Sequence, residues 1–300
     1  MCQPKTIDSV EAFIRETKND YKEWGLGERP WFPWFRGEPD SDTPLVPQLF
    51  RPHYKNLFDG DYYENRLLQH FRARALTYGR TPHREETDLW LFLARHVGLP
   101  TRLLDWTGSA LVALYFALKE DDPIVWMLNP FCLNNMVIGR EMPHILRKQG
   151  YNIYALTWYP GREKPNIGNE NIRFAWGERV DPKTKQTIGT TLPVAIPPTY
   201  IHSRIPAQKG YFTIHGKQEE SLCALLDGKE KYVLKKYVID AGNDKQVMFD
   251  QLEVLGVSEA ALFPELDGLA RDLTALFRPD LATWIKRRHL QTDEENDKTD

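Results

Sequence analysis

The chain has 300 residues, 41% of them hydrophobic, 27% charged and 12% aromatic, with nine tryptophans and a formal net charge of −3. Such a length and apolar share suit one large globular domain or two ordinary ones, and the near-balanced charge excludes a general pull toward nucleic acid or an anionic membrane while leaving room for a local basic groove. Three scattered cysteines (2, 132 and 223) exclude a disulfide framework or a zinc site, and no apolar run approaches the roughly 18–20 residues of a membrane span. Met1 to Val10 is polar and carries no secretory signal, so the chain reads as cytoplasmic.

Val10 to Trp24 has helical spacing through Phe13, Ile14 and Tyr21, with Ser9 placed as N-cap. Pro30 to Arg36 is extended and aromatic, ends in Phe35-Arg36-Gly37, and runs into a Pro-rich stretch. Tyr62 to Tyr78 forms an amphipathic helix whose stripe holds Leu67, Leu68, Phe71 and Ala75, and also Glu64, which therefore needs a cationic partner. Thr87 to His96 is a short helix apolar all round, closed by Gly98 and Pro100. Arg102 to Trp106 suits a buried strand, Thr107 or Ser109 caps a helix from Ala110 to Lys119, and Ile124 to Leu128 is a second buried strand. Together these make a strand–helix–strand unit.

Residues 129–150 read as a loop with a short helix, and 151–176 as irregular. Thr190 to Ile196, Tyr211 to Ile214 and Tyr232 to Asp240 have strand character, and a Pro-containing link from Ser203 to Gly210 joins the first two. Lys245–Leu255, Glu259–Phe263 and Pro264–Ile285 supply C-terminal helices, and the acidic last ten residues read as a disordered tail. The sum is a single mixed α+β domain with a central sheet, divided as 1–29 helical segment, 30–240 core, 241–290 C-terminal helices and 291–300 tail.

Between the two most apolar segments, 88–94 and 110–118, lies His96-Val97-Gly98-Leu99-Pro100-Thr101-Arg102-Leu103-Leu104-Asp105-Trp106-Thr107. Charges so close to a core cost several kcal/mol unless paired, so this stretch is either an internal polar brace or the floor of a functional pocket. Arg36, at the end of an apolar strand and beside Gly37, is placed to grip a phosphate through its planar fork; its structural alternative is a pair with Glu64. Asp105 accepts from Arg102, Arg36 or a ligand hydroxyl, or opens the next helix as a cap. His96 is a general acid or base, or a helix C-terminal residue favoured by the dipole. Trp106 is a core ring or a stacking surface, and Gln208 either offers its amide to a ribose hydroxyl or ties down its own loop.

Phe35-Arg36-Gly37, the block from His96 to Thr107, and Arg204-Ile205-x-x-Gln208-x-Gly210-x-Phe212 together resemble the FRG domain, a bacterial family. Glu64-x-x-Leu67-Leu68-x-x-Phe71 and Leu262-Phe263-Pro264-Glu265-Leu266-Asp267-Gly268 add to the likeness, which then spans residues 30–270. A more distant resemblance is to the ADP-ribosyltransferase plan. It implies NAD as substrate, with Arg36 on the dinucleotide phosphates, Asp105-Trp106-Thr107 shaping the nicotinamide pocket and Gln208 on the ribose. The chain departs from that plan by lacking a Ser-Thr-Ser strand and by holding a glutamine where a glutamate belongs, for which Glu219 or Glu220 stands in reserve.

The catalytic candidates are then Arg36, Asp105 and Gln208, with His96 added by its acid–base reading. Gly37, Arg102, Trp106, Thr107, Glu64 and Arg204 are ligand-binding candidates, and no metal is implied. Three function classes follow: a nucleotide-directed enzyme or effector of stress or phage conflict, a non-catalytic nucleotide or nucleic-acid binding module, and a hydrolase using His96 and Asp105.

Overall fold

The computed structural model describes residues 4–24, 32–39, 43–55, 60–79, 81–141, 179–180, 187–188, 192–216, 218–226, 228–242 and 245–277. Its strands are β1 (Lys5–Ile7), β2 (Trp34–Glu38), β3 (Leu103–Thr107), β4 (Ile124–Leu128), β5 (Arg179–Val180), β6 (Thr187–Ile188), β7 (Val194–Ile196), β8 (Gly210–Ile214) and β9 (Leu234–Ile239). Seven of them form one mixed sheet in the order β1-β9-β4-β2-β3-β8-β7, while β5 and β6 pair separately. Only β1 and β9 run parallel; the other pairings are antiparallel. The single α+β domain read from the sequence is thus the observed architecture. Among the described residues, no helix is long and apolar enough to cross a membrane.

The local signals act where expected. Helix α1 (Val10–Glu23) starts at Ser9, whose side chain accepts from the Ala12 amide. Helices α2 (Pro52–Lys55), α3 (Gly60–Ala75), α4 (Thr87–His96), α5 (Ala110–Leu118) and α6 (Pro130–Glu141) follow. Gly98, at φ 92°, ends α4 in a conformation that a side chain disfavours. Several segments differ from the sequence reading: Lys5–Ile7 is an additional strand, and the strand read from Thr190 begins at Val194. The Ser203–Gly210 link contains a helical turn, Arg204–Ala207, and the Tyr232–Asp240 strand begins only at Leu234, after the turn Glu230–Val233. The 151–176 segment and the acidic tail lie outside the described residues.

The strand–helix–strand unit contains a third strand. β3 and β4 both pair antiparallel with β2, so β2 lies between them and α5 crosses over it. Phe35 and Gly37 face α5; Trp34, Arg36 and Glu38 leave on the opposite side, as the two-residue pleat requires. On the α5 face, α1, α5 and the helix Lys245–Val254 close one core with Val125, Met127, Tyr237 and Ile239, and α3 and α4 close a second with Leu103, Phe212 and Ile214. On the other face, Trp34, Leu104, Trp106, Trp126 and Leu128 pack with Leu45, Leu133, Leu222 and Leu226.

Candidate functional site

The sheet is weakest at its middle. β2 shares five residue pairs with β4 but only Phe35↔Thr107 with β3. Beyond that pair the Arg36 side chain takes over part of the ladder: its Nη1 donates to the main-chain oxygen of Asp105 at 2.9 Å. A guanidinium fills this role well because its donors are fixed in a planar fork. The same group binds Glu38 through Nε at 2.5 Å and lies 3.6 Å from the Asp105 carboxylate.

Asp105 shares its face of β3 with Leu103 and so looks toward α4. Arg95, in the last turn of α4, meets it with a two-point grip: Nε donates to Oδ1 at 2.7 Å and Nη2 to Oδ2. The third Arg95 nitrogen donates to Gln48 Oε1 at 3.0 Å. Burial alone would raise the Asp105 pKa, but Arg95 first and then Arg36 hold the carboxyl below the ordinary aspartate range. Although crowded, the Asp105 side chain keeps 38% of its surface open to water, whereas Glu38 keeps 2%. Arg51, just past the turn Gln48–Phe50, adds a third guanidinium 3.6 Å from Glu38. Among the described residues, two carboxylates and three arginines therefore meet at the β2–β3 seam, with the charge surplus on the positive side.

Several of the candidate site residues have structural partners in the fold. Glu64 does not pair with Arg36. It takes both the amide and the Nε of Arg102, at 3.0 and 2.7 Å, and both side chains are fully buried. Arg102 spends another nitrogen on the main-chain oxygens of His215 and Gly216. Neither residue is reachable by a ligand; they are a brace tying α3 to the end of β8. Asp105 correspondingly accepts from Arg95 rather than from Arg102. Gly37 is a packing residue, since a Cβ there would lie 2.5 Å from the Ala113 oxygen and 2.6 Å from the Ala117 nitrogen. Trp106 is a core ring, 3% exposed, with Nε1 donating to Thr213 Oγ1. Thr107 is buried, donating to the Gln208 oxygen and accepting from the Ser109 amide.

Gln208 and the arginine cluster do not share a hydrogen bond. The Gln208 amide donates to the Leu262 oxygen at 3.1 Å, so it ties its loop to the C-terminal helices. Arg204 and Ser203 bind Glu265 in the same junction, and Arg204 lies over the Phe263 ring. His96 faces His202 at 4.5 Å between ring centroids, with its Nε2 buried and unpartnered among the described residues. Burial, His202 and Arg204 together lower its pKa to about 4, so the ring is neutral at pH 7. No hydrogen bond joins it to Asp105, although the two are within electrostatic reach. Glu219 is half-buried and Glu220 exposed, both past the end of β8. Among the described residues, no group of three or more histidine, cysteine or acidic side chains is arranged to hold a metal ion.

Sequence reasoning missed Arg95, Glu38, Arg51 and Gln48. Arg95 did carry a signal. It lies in a helix read as apolar all round, and a cation there needs a partner for the same reason that Glu64 does. Arg51 and Glu38 gave none, because their meeting depends on packing after the fold has formed and not on any local pattern.

An antiparallel-rich sheet, opened at its centre by an arginine and lined by ion pairs, defines a mixed α+β protein with a charged seam. Residues 33–124, from just before β2 to the first residue of β4, match the model of the FRG domain. Every member of the charged seam falls inside that match, while Arg204 and Gln208 fall outside it. No curated protein and no solved structure matches the chain. The ADP-ribosyltransferase plan therefore finds no support among known structures.

Proposed function

We propose that the β2–β3 seam is a ligand cleft for a nucleotide-bearing anion, in which Arg36 and Arg95 present the cationic wall and Asp105 accepts a ligand hydroxyl. The observation that carries this reading is the opening at Asp105. Its carboxylate is ionised, held by a two-point arginine grip, and still 38% open to water beside the guanidiniums of Arg95 and Arg36. A purely structural ion pair gains nothing from that exposure, whereas a sugar hydroxyl needs a fixed acceptor and a phosphate needs guanidinium donors.

Binding without turnover is favoured over ADP-ribosyl transfer. Asp105 is the one water-reachable carboxylate among the described cleft residues, and both of its oxygens already accept from Arg95. Gln208 is committed to Leu262. Both facts weaken the stabilisation of a developing oxocarbenium ion. The hydrolase reading loses its orienting contact, since Asp105 makes no hydrogen bond to His96.

The test is a thermal-shift titration with NAD, ADP-ribose and AMP up to millimolar concentration. At least one ligand should raise Tm, Arg36→Ala and Asp105→Asn should each remove most of the rise, and long incubation with NAD should release no nicotinamide. Nicotinamide release that depends on Asp105 would replace the binding reading by the transferase one. No Tm rise with any of the three ligands would overturn the cleft.

A further inference from the structure

Arg51 is the one cation of the seam without a carboxylate to itself. Glu38 is already bound by Arg36 at 2.5 Å, and Arg51 reaches the other Glu38 oxygen only at 3.6 Å. Its Nε is sealed from water and has no hydrogen-bond partner among the described residues, yet its side chain is 32% exposed. Burial first, then the neighbouring Arg36 and Arg95, pull its pKa down, and the Glu38 and Asp105 charges only partly oppose them. A guanidinium so placed is only partly compensated, because its long contact with the shared Glu38 does not offset the cost of partial desolvation. Guanidiniums do not release their proton in proteins, so an anion reaching the exposed part of Arg51 would find a charged donor without a close carboxylate.

We infer that Arg51 is the phosphate seat of this cleft, and that the ligand class is a phosphorylated sugar or nucleotide rather than a neutral nucleoside. The inference rests on the cleft reading above and adds a residue and a polarity to it: phosphate at the Arg51 side, sugar hydroxyl at Asp105. Three arginines against two carboxylates leave one positive charge, which a phosphate diester or pyrophosphate oxygen neutralises.

The experiment compares ADP-ribose and adenosine binding by calorimetry to the full chain and to Arg51→Gln and Arg51→Lys, with the Tm of each free protein. Arg51→Gln should weaken ADP-ribose at least tenfold, Arg51→Lys should restore part of the loss, and adenosine should bind all three proteins alike. The free Arg51→Gln protein should melt at or above the wild-type temperature, because a poorly compensated charge has been removed. A falling Tm would make Arg51 a structural partner of Glu38 and overturn the inference. Unchanged ADP-ribose affinity in Arg51→Gln would place the phosphate elsewhere while leaving the cleft intact. Failure of the wild type to bind ADP-ribose would remove the phosphate seat, and failure with NAD and AMP as well would remove the cleft.

Discussion

Arg102 and Glu64 show why a charged residue beside a core need not be a functional one. Each is fully buried, and each finds its partner on an element distant in sequence. Exchanging such a pair for matched apolar residues is often neutral, whereas removing one partner strands a charge and costs about 3–5 kcal/mol. Glu64→Ala should therefore lower unfolding stability by about that amount in urea titration, and Glu64→Leu combined with Arg102→Met should recover most of it. A loss below about 1 kcal/mol for the single variant would show that the brace is not carrying the α3–β8 contact. The Phe35-Arg36-Gly37 triplet divides its labour in the same local way. Phe35 is in the core, Arg36 opens the seam, and Gly37 makes room for a helix.

At the level of elements, β2 with α5 is the joint on which the seam depends. Helix α5 lies so close to β2 that its backbone occupies the volume of any side chain at position 37. Gly37→Ala should thus lift α5 and destabilise the protein by about 1–3 kcal/mol, the usual cost of overpacking. It should also weaken binding of whichever ligand the thermal-shift assay selects, since Arg36 is the next residue along. A variant with wild-type Tm would show that the strand and helix can part without cost. Much of this joint was legible from the chain itself: both strands of the crossover and the apolar character of α5 follow from period and composition. The insertion of β2 between them was not, because strand order is set by which edges meet after collapse, and no local signal encodes it.

For the protein as a folded unit, two buried histidines couple stability to pH. His96 has its pKa lowered to about 4 and His215 to about 3, the latter by burial and then by Arg102. The unfolded chain protonates both near pH 6.5, so between about pH 6.5 and 4 it binds more protons than the folded chain, and stability falls as pH falls. Each histidine adds a slope of up to about 1.4 kcal/mol per pH unit within its window. Carboxylates with lowered pKa, Asp20 and Asp105 among them, add losses below their unfolded values, while Asp88, raised by burial, acts in the opposite sense. Urea unfolding between pH 7 and 4.5 should show this decline, and His96→Gln should remove about half of the slope. A flat profile over that range would mean that neither ring is sealed in its neutral form.

The main helices, the strands of the crossover, the cap at Ser9 and the need of Glu64 for a cation were determined by the sequence alone. Each depends on contacts within a few residues or on the plain cost of burying charge. Only the tertiary structure decided which cation that was, that Gln208 serves its own loop, and that Arg95 and Arg51 join Arg36 and Asp105 at one seam. These are pairings between segments tens of residues apart. Several arginines satisfy the same electrostatic demand equally well, and only the packed sheet and its helices select among them.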